Sequence, residues 1–254
     1  MFSMEPRCIY EKNQLGEVIC QLRFPDILTI GANAPAEFQE AIRADYPRYS
    51  AIKEPQVVRP GTAQAPAQIS LNHQFVSADG VWRINLTSKF ISLACCRYTR
   101  WEDFAARLDK PLAAFIRIYQ PAWFDRVGLR YLNFISRKSL GIETTPWRNL
   151  INPMYLGVLA AEEIQEQTTR QCTLDADISL RGGCRVKIHA GPGMVRRGTQ
   201  QDPELKFILD QDLYMPGKLA VNLSAGALQT LHAQAWPLFR GAITDTLHDA
   251  MEPQ

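Results

Sequence analysis

No apolar run in this chain approaches the roughly 20 residues that a membrane-crossing helix needs, so no membrane segment is expected. Charge of one sign is also lacking: 28 Lys and Arg against 26 Asp and Glu leave a formal net charge of +2. Dedicated nucleic-acid binders carry a much stronger basic bias, so nucleic acid is the less favoured partner, with a local basic groove still open. The opening residues, MFSMEPRCIYEKNQ, have no apolar stretch and carry charges early, which excludes a secretory signal and points to the cytoplasm. The six cysteines form neither a CxxC pair nor a zinc-knuckle spacing. Cys20, Cys95 and Cys184 sit in strand-like runs, where a reduced cysteine acts as a small hydrophobe. A GxSxG elbow, a GxxxxGK[ST] loop, an HExxH helix and a kinase signature are all missing. Gly182-Gly183 and Gly191-Pro192-Gly193 do not make a GxGxxG and read as turns. No cofactor is therefore expected, and a binding role is preferred to a catalytic one.

What is present is ordinary globular material, 46% hydrophobic and 21% charged over 254 residues, enough for one large domain or two small ones. In 17–24, Val18, Cys20, Leu22 and Phe24 alternate with polar residues, the period of a strand. Pro35 then opens a short helix with Phe38, Ala41 and Ile42 on one side. The stretch 53–68, with three prolines, reads as a loop. Three strands follow (69–76, 81–87 and 90–98), the first two joined by a turn at Asp79-Gly80. Trp101, Phe104, Leu108, Leu112, Phe115 and Tyr119 then make a long helical stripe, in which Pro111 predicts a kink or break.

The pattern restarts at RVGLRYLNFIS, residues 126–136, with Val127, Leu129 and Tyr131 as its core stripe. A helical segment is expected over 146–161, broken by Pro153, then strands at 171–180, 184–190 and 205–213, and a final helix over about 225–251. The order strand–helix–strand–strand–strand–helix thus occurs twice. It predicts an α+β fold of duplicated units, with antiparallel sheet and helices on one face. The halves are 1–122 and 123–254, or one continuous domain.

Several residues together resemble a sporadically distributed bacterial family of conserved hypothetical proteins. They are Glu17-Val-Ile-Cys-Gln-Leu-Arg-Phe-Pro25, Phe38-Gln39, Tyr46-Pro47, Trp82-Arg-Ile-Asn-Leu86, Tyr98-x-x-Trp101-x-x-Phe104 and Arg126-Val-Gly-Leu-Arg-Tyr-Leu-Asn133. The resemblance covers the first half of the chain well and the second weakly. It implies no activity and carries over no catalytic residue.

Two constellations carry what chemistry there is. Asp175 and Asp177 share one side of a strand, and His189 lies on the next, so a hairpin would bring two carboxylates to an imidazole. That set could hold a divalent metal or act in acid–base catalysis; the plainer expectation is a solvated strand face, with no metal. The second constellation is arginine in strands: Arg23, Arg83, Arg126, Arg130 and Arg185, joined by Phe134 and by the basic tip Arg196-Arg197. Arg126 and Arg130 fall opposite the core stripe of their strand. Such a face suits a protein partner, a second copy in a homodimer, or a nucleic-acid backbone, unless Glu17, Asp125 or Glu204 neutralise the arginines within the chain.

Overall fold

A computed structural model describes residues 2–55, 69–197 and 200–254. The strands are β1 (Leu15–Arg23), β2 (Arg48–Pro55), β3 (Ile69–Val76), β4 (Trp82–Leu86), β5 (Phe90–Cys95), β6 (Phe124–Ile135), β7 (Leu174–Ser179), β8 (Arg185–Arg197) and β9 (Gln200–Leu219). The helices are α1 (Leu28–Ala32), α2 (Ala36–Ile42), α3 (Trp101–Tyr119), α4 (Arg137–Leu140), α5 (Ser224–Ala242) and α6 (Asp245–Ala250). All nine strands join one antiparallel sheet in the order β2-β3-β4-β5-β1-β6-β9-β8-β7, so the fold is α+β. None of these helices is long and apolar enough to cross a membrane.

Four local expectations are corrected. Residues 53–55 of the expected loop belong to β2, and the rest of it, from residue 56, lies outside the described residues. α3 passes through Pro111 as a single helix. Over 146–161 no α-helix forms. Instead there are three 3-10 turns (Trp147–Asn149, Pro153–Tyr155 and Gly157–Ala160), because two prolines remove backbone donors and Gly157 takes a left-handed φ of 55°. The final helix expected over about 225–251 divides in two, because the Thr244 side chain accepts from the Leu247 N–H and starts α6.

β8 also continues through Gly191-Pro192-Gly193 instead of turning there. β7 pairs with β8 only as far as Leu174 opposite Ala190, so Pro192 stands where its missing N–H has no β7 partner to serve. Gly191 is needed for another reason. A Cβ on it would overlap the carbonyl oxygen of Cys172.

Contacts divide the chain into two compact units. One comprises Met1–Val18, Gly128–Met215 and Gly226–Gln254; the other comprises Ile19–Val127 and Pro216–Ala225. In the second unit, Phe24 packs on Phe115 at 4.8 Å and Phe38 on Phe75 at 5.4 Å. Arg117 to Glu37 (3.1 Å) and Lys110 to Asp45 (2.6 Å) fasten α3 at its surface. On the side of β3, β4 and β5 opposite Phe75, Ile84 and Leu93, a row of neutral polar groups runs beside half-buried Arg83. Gln74 Nε2 donates to Asn85 Oδ1 at 3.2 Å, and Asn85 Nδ2 donates to Ser92 Oγ at 3.4 Å. Ser92 is only 4% exposed.

In the first unit, Leu129, Val186, Leu209 and Leu213 form the buried side of the sheet. α5 packs there: the Tyr131 hydroxyl bonds His232 Nδ1 at 2.8 Å, and Gln234 Nε2 donates to Cys184 Sγ at 3.2 Å. The N-terminal segment is held on α5 and α6 by Glu5 to Arg240 (2.6 Å) and by the Tyr10 hydroxyl to His248 Nδ1 (2.6 Å).

Candidate binding groove

Strand register builds the site. Side chains alternate along each strand, so those opposite the buried stripe project to the other side of the sheet. On that side β7 and β8 set Asp175 opposite His189 and Asp177 opposite Lys187. β8 and β9 then set His189 opposite Asp210 and Lys187 opposite Asp212. With Arg130 of β6, which neighbours β9, these residues line an open groove of about 520 Å³ within the first unit.

Most of the charges are used against one another. His189 Nδ1 lies 2.7 Å from Asp175 Oδ1. Arg130 grips Asp210 with two prongs, Nε donating to Oδ1 at 2.7 Å and a terminal nitrogen donating to Oδ2. Those hydrogen bonds outweigh desolvation and raise the Arg130 pKa above its ordinary value, with Asp212 and Glu17 adding attraction. Asp177 accepts from Arg185 Nε at 3.1 Å and from the Tyr214 hydroxyl at 3.2 Å. The groove lining thus holds four carboxylates, Asp175, Asp177, Asp210 and Asp212, with Arg130 and Lys187; once Arg185, which binds Asp177, is counted, one negative charge is left in excess while His189 is neutral.

Asp175, Asp177, His189 and Arg130 therefore meet in one groove, but not as a ligand set. Asp177 turns to Arg185 and Tyr214, and Asp175 turns to His189. Among the described residues, no group of three or more His, Cys, Asp or Glu is placed to hold a metal ion. Among the described residues that line the groove there is no serine, threonine or cysteine.

The other sequence candidates lie elsewhere. Arg23, Arg83 and Arg126 belong to the second unit. Arg23 is exposed and donates to Gln21 Oε1 at 3.0 Å. Arg83 and Arg126 are half-buried, and the charge of Arg126 opposes the burial that pushes the Cys20 thiol up to about 12. Phe134 lies over Gly16, where any side chain would overlap its ring. Arg196 is exposed near the end of the β8–β9 hairpin; of Arg197 only the backbone is described, opposite Gln200. The partner of Arg130 is none of the three acids expected. Asp125 accepts from Trp123 Nε1, Glu204 from Ser136 and Lys138, and Glu17 adds attraction to Arg130. Asp210 takes Arg130 because β9, not a sequence neighbour, is the strand beside β6.

No known family model matches this chain. No curated protein matches it either.

Sequence reasoning missed Lys187, Asp210 and Asp212. Asp210-Gln211-Asp212 repeats the Asp-x-Asp spacing of Asp175-Ala176-Asp177 inside a strand-like run, and that spacing was the available signal.

Proposed function

We propose that this is a cytoplasmic, non-enzymatic binding protein that uses the groove side of β6, β9, β8 and β7 to take a macromolecular partner, and that the partner is a protein. One observation carries this: the groove is an open concavity whose charges are arranged as cross-strand pairs with a carboxylate excess. A nucleic-acid backbone would meet that excess, and Arg130, the arginine in the groove, is already engaged by Asp210. A protein surface carrying lysines or arginines would instead gain charge complementarity and a faster encounter. An ancestral duplication is also part of the reading. It is supported by the strand order, in which β3-β4-β5-β1, starting one strand in from β2, and β7-β8-β9-β6, starting at the other edge, run the same succession.

The test is affinity capture from the native host with wild type and Asp175→Lys, with and without nuclease. The expected result is a protein that survives nuclease and is lost with Asp175→Lys. Recovery of nuclease-sensitive material alone would favour a nucleic-acid partner. A doubled mass in light scattering, abolished by the same substitution, would make the partner a second copy of the chain.

A further inference from the structure

β7 is the last strand at its end of the sheet. One side of its backbone pairs with β8, and no described strand lies along the other. Its side chains divide by face: Asp175, Asp177 and Ser179 toward the groove, Leu174, Ala176 and Ile178 toward the apolar side. Val186, Ile188 and Ala190 of β8 are at most 3% exposed, whereas their β7 partners Ile178, Ala176 and Leu174 are only half-buried. The edge therefore offers unpaired backbone positions together with apolar surface that β8 and α5 do not cover.

Charge decides what can pair there. In an antiparallel pair, directly opposed residues lie on the same face. A second copy of β7 joined about a two-fold axis then sets Asp175 against Asp177, or Asp177 against itself, in both registers that keep the apolar sides together over more than three residues of the strand. Like charges directly opposed are destabilising, so this edge rejects its own copy. A strand with cations at alternate positions converts that repulsion into attraction, and the groove's carboxylate excess strengthens it.

We infer that the β7 edge accepts an extended segment of a partner protein as an added strand, with Lys or Arg on the groove side alternating with aliphatic residues on the other. This rests on the reading of the groove as a protein-binding face. Main-chain hydrogen bonds along β7 would supply affinity; Asp175 and Asp177, with half-buried Leu174 and Ile178, would supply specificity.

The test uses the full chain and fluorescein-labelled eight-residue peptides, read by fluorescence anisotropy. The probes are an alternating Lys-Val peptide, an alternating Glu-Val peptide, and a Lys-Val peptide N-methylated at every second residue. Expected is binding of the Lys-Val peptide that weakens as salt rises, at least ten-fold weaker binding of the other two, and a ten-fold or larger loss for Asp175→Lys/Asp177→Lys and for Ala176→Pro. Far-UV circular dichroism and melting confirm that both variants remain folded. Lys-Val binding that ignores N-methylation and Ala176→Pro but still needs the aspartates overturns the added strand while keeping the groove as a protein site. Equal binding of the Lys and Glu peptides, or binding of none, overturns the inference, and the capture experiment decides the broader reading separately.

Discussion

Two rows on the second side of the sheet, one in each unit, are built in opposite ways. In one, Gln74, Asn85 and Ser92 hand neutral hydrogen bonds across three strands, and Ser92 is 4% exposed. In the other, Asp175 meets His189 and Arg130 holds Asp210 across four strands, and the Asp175 side chain stays 71% exposed. The difference follows from desolvation. A neutral amide or hydroxyl can be buried once its hydrogen bonds are made, whereas a charge taken from water costs more than its partner returns unless the geometry is excellent. A charged sheet side is therefore kept wet, and a wet, concave, charged side is available to a partner. The carboxamide row is a structural solution, and the ionic row is an accessible one.

The sharpest way to break this contrast is to put a charge into the neutral row. Ser92→Asp buries a carboxylate beside Asn85 and should cost about 2–4 kcal/mol in urea denaturation. If Ser92→Asp unfolds at the wild-type midpoint, the neutral row is not obligatory. Next comes the ionic row. Arg130→Ala leaves Asp210, 13% exposed, without its two-pronged partner, and about 1 kcal/mol should be lost after allowing for the 42% exposure of Arg130. Asp210→Ala should cost less, because Arg130 can turn to water. A double-mutant cycle measures the coupling, which should shrink in 1 M salt.

A smaller effect is expected where a polar group is buried but unmatched. The Tyr155 hydroxyl, in a residue 2% exposed, has no hydrogen-bond partner among the described residues, so Tyr155→Phe should be neutral or stabilising by up to ~1 kcal/mol at pH 7. Burial pushes the Tyr155 phenol up to about 12, above the value near 10 of the unfolded chain. A folded-state pKa raised in this way contributes stability that is intact below pH 10 and is lost as pH rises through about 12. Wild type should lose stability across that window, and Tyr155→Phe should lose less of it; parallel pH–stability curves would refute the assignment. The smallest effect belongs to Arg23→Ala, which removes an exposed contact to Gln21 and should stay within about 0.5 kcal/mol in the same denaturation.

Local periodicity was enough to find most strands, because alternation between a buried and an open side is written into nearest neighbours. Val127, Leu129 and Tyr131 mark the inner stripe of β6 and place Arg130 on the other side without any structure. Breaks were harder to read. Pro111 sits inside an intact α3, while Thr244, an unremarked threonine, starts a new helix. The difference lies in packing and capping, which depend on what the chain meets after it folds back. Gly191 is a further case, since its need for hydrogen in place of a side chain comes from Cys172, just before the adjoining strand β7 and invisible to a window of neighbours.

The sequence by itself determined that Asp175 and Asp177 share one side of a strand and that Arg130 lies opposite a core stripe, because a strand's pleat has a period of two whatever surrounds it. Only the tertiary structure decided that Arg130 belongs to Asp210, 80 residues on, and that His189 belongs to Asp175. Which strands become neighbours, and in what register, is set by how the whole sheet buries its apolar side. No short stretch of chain contains that information.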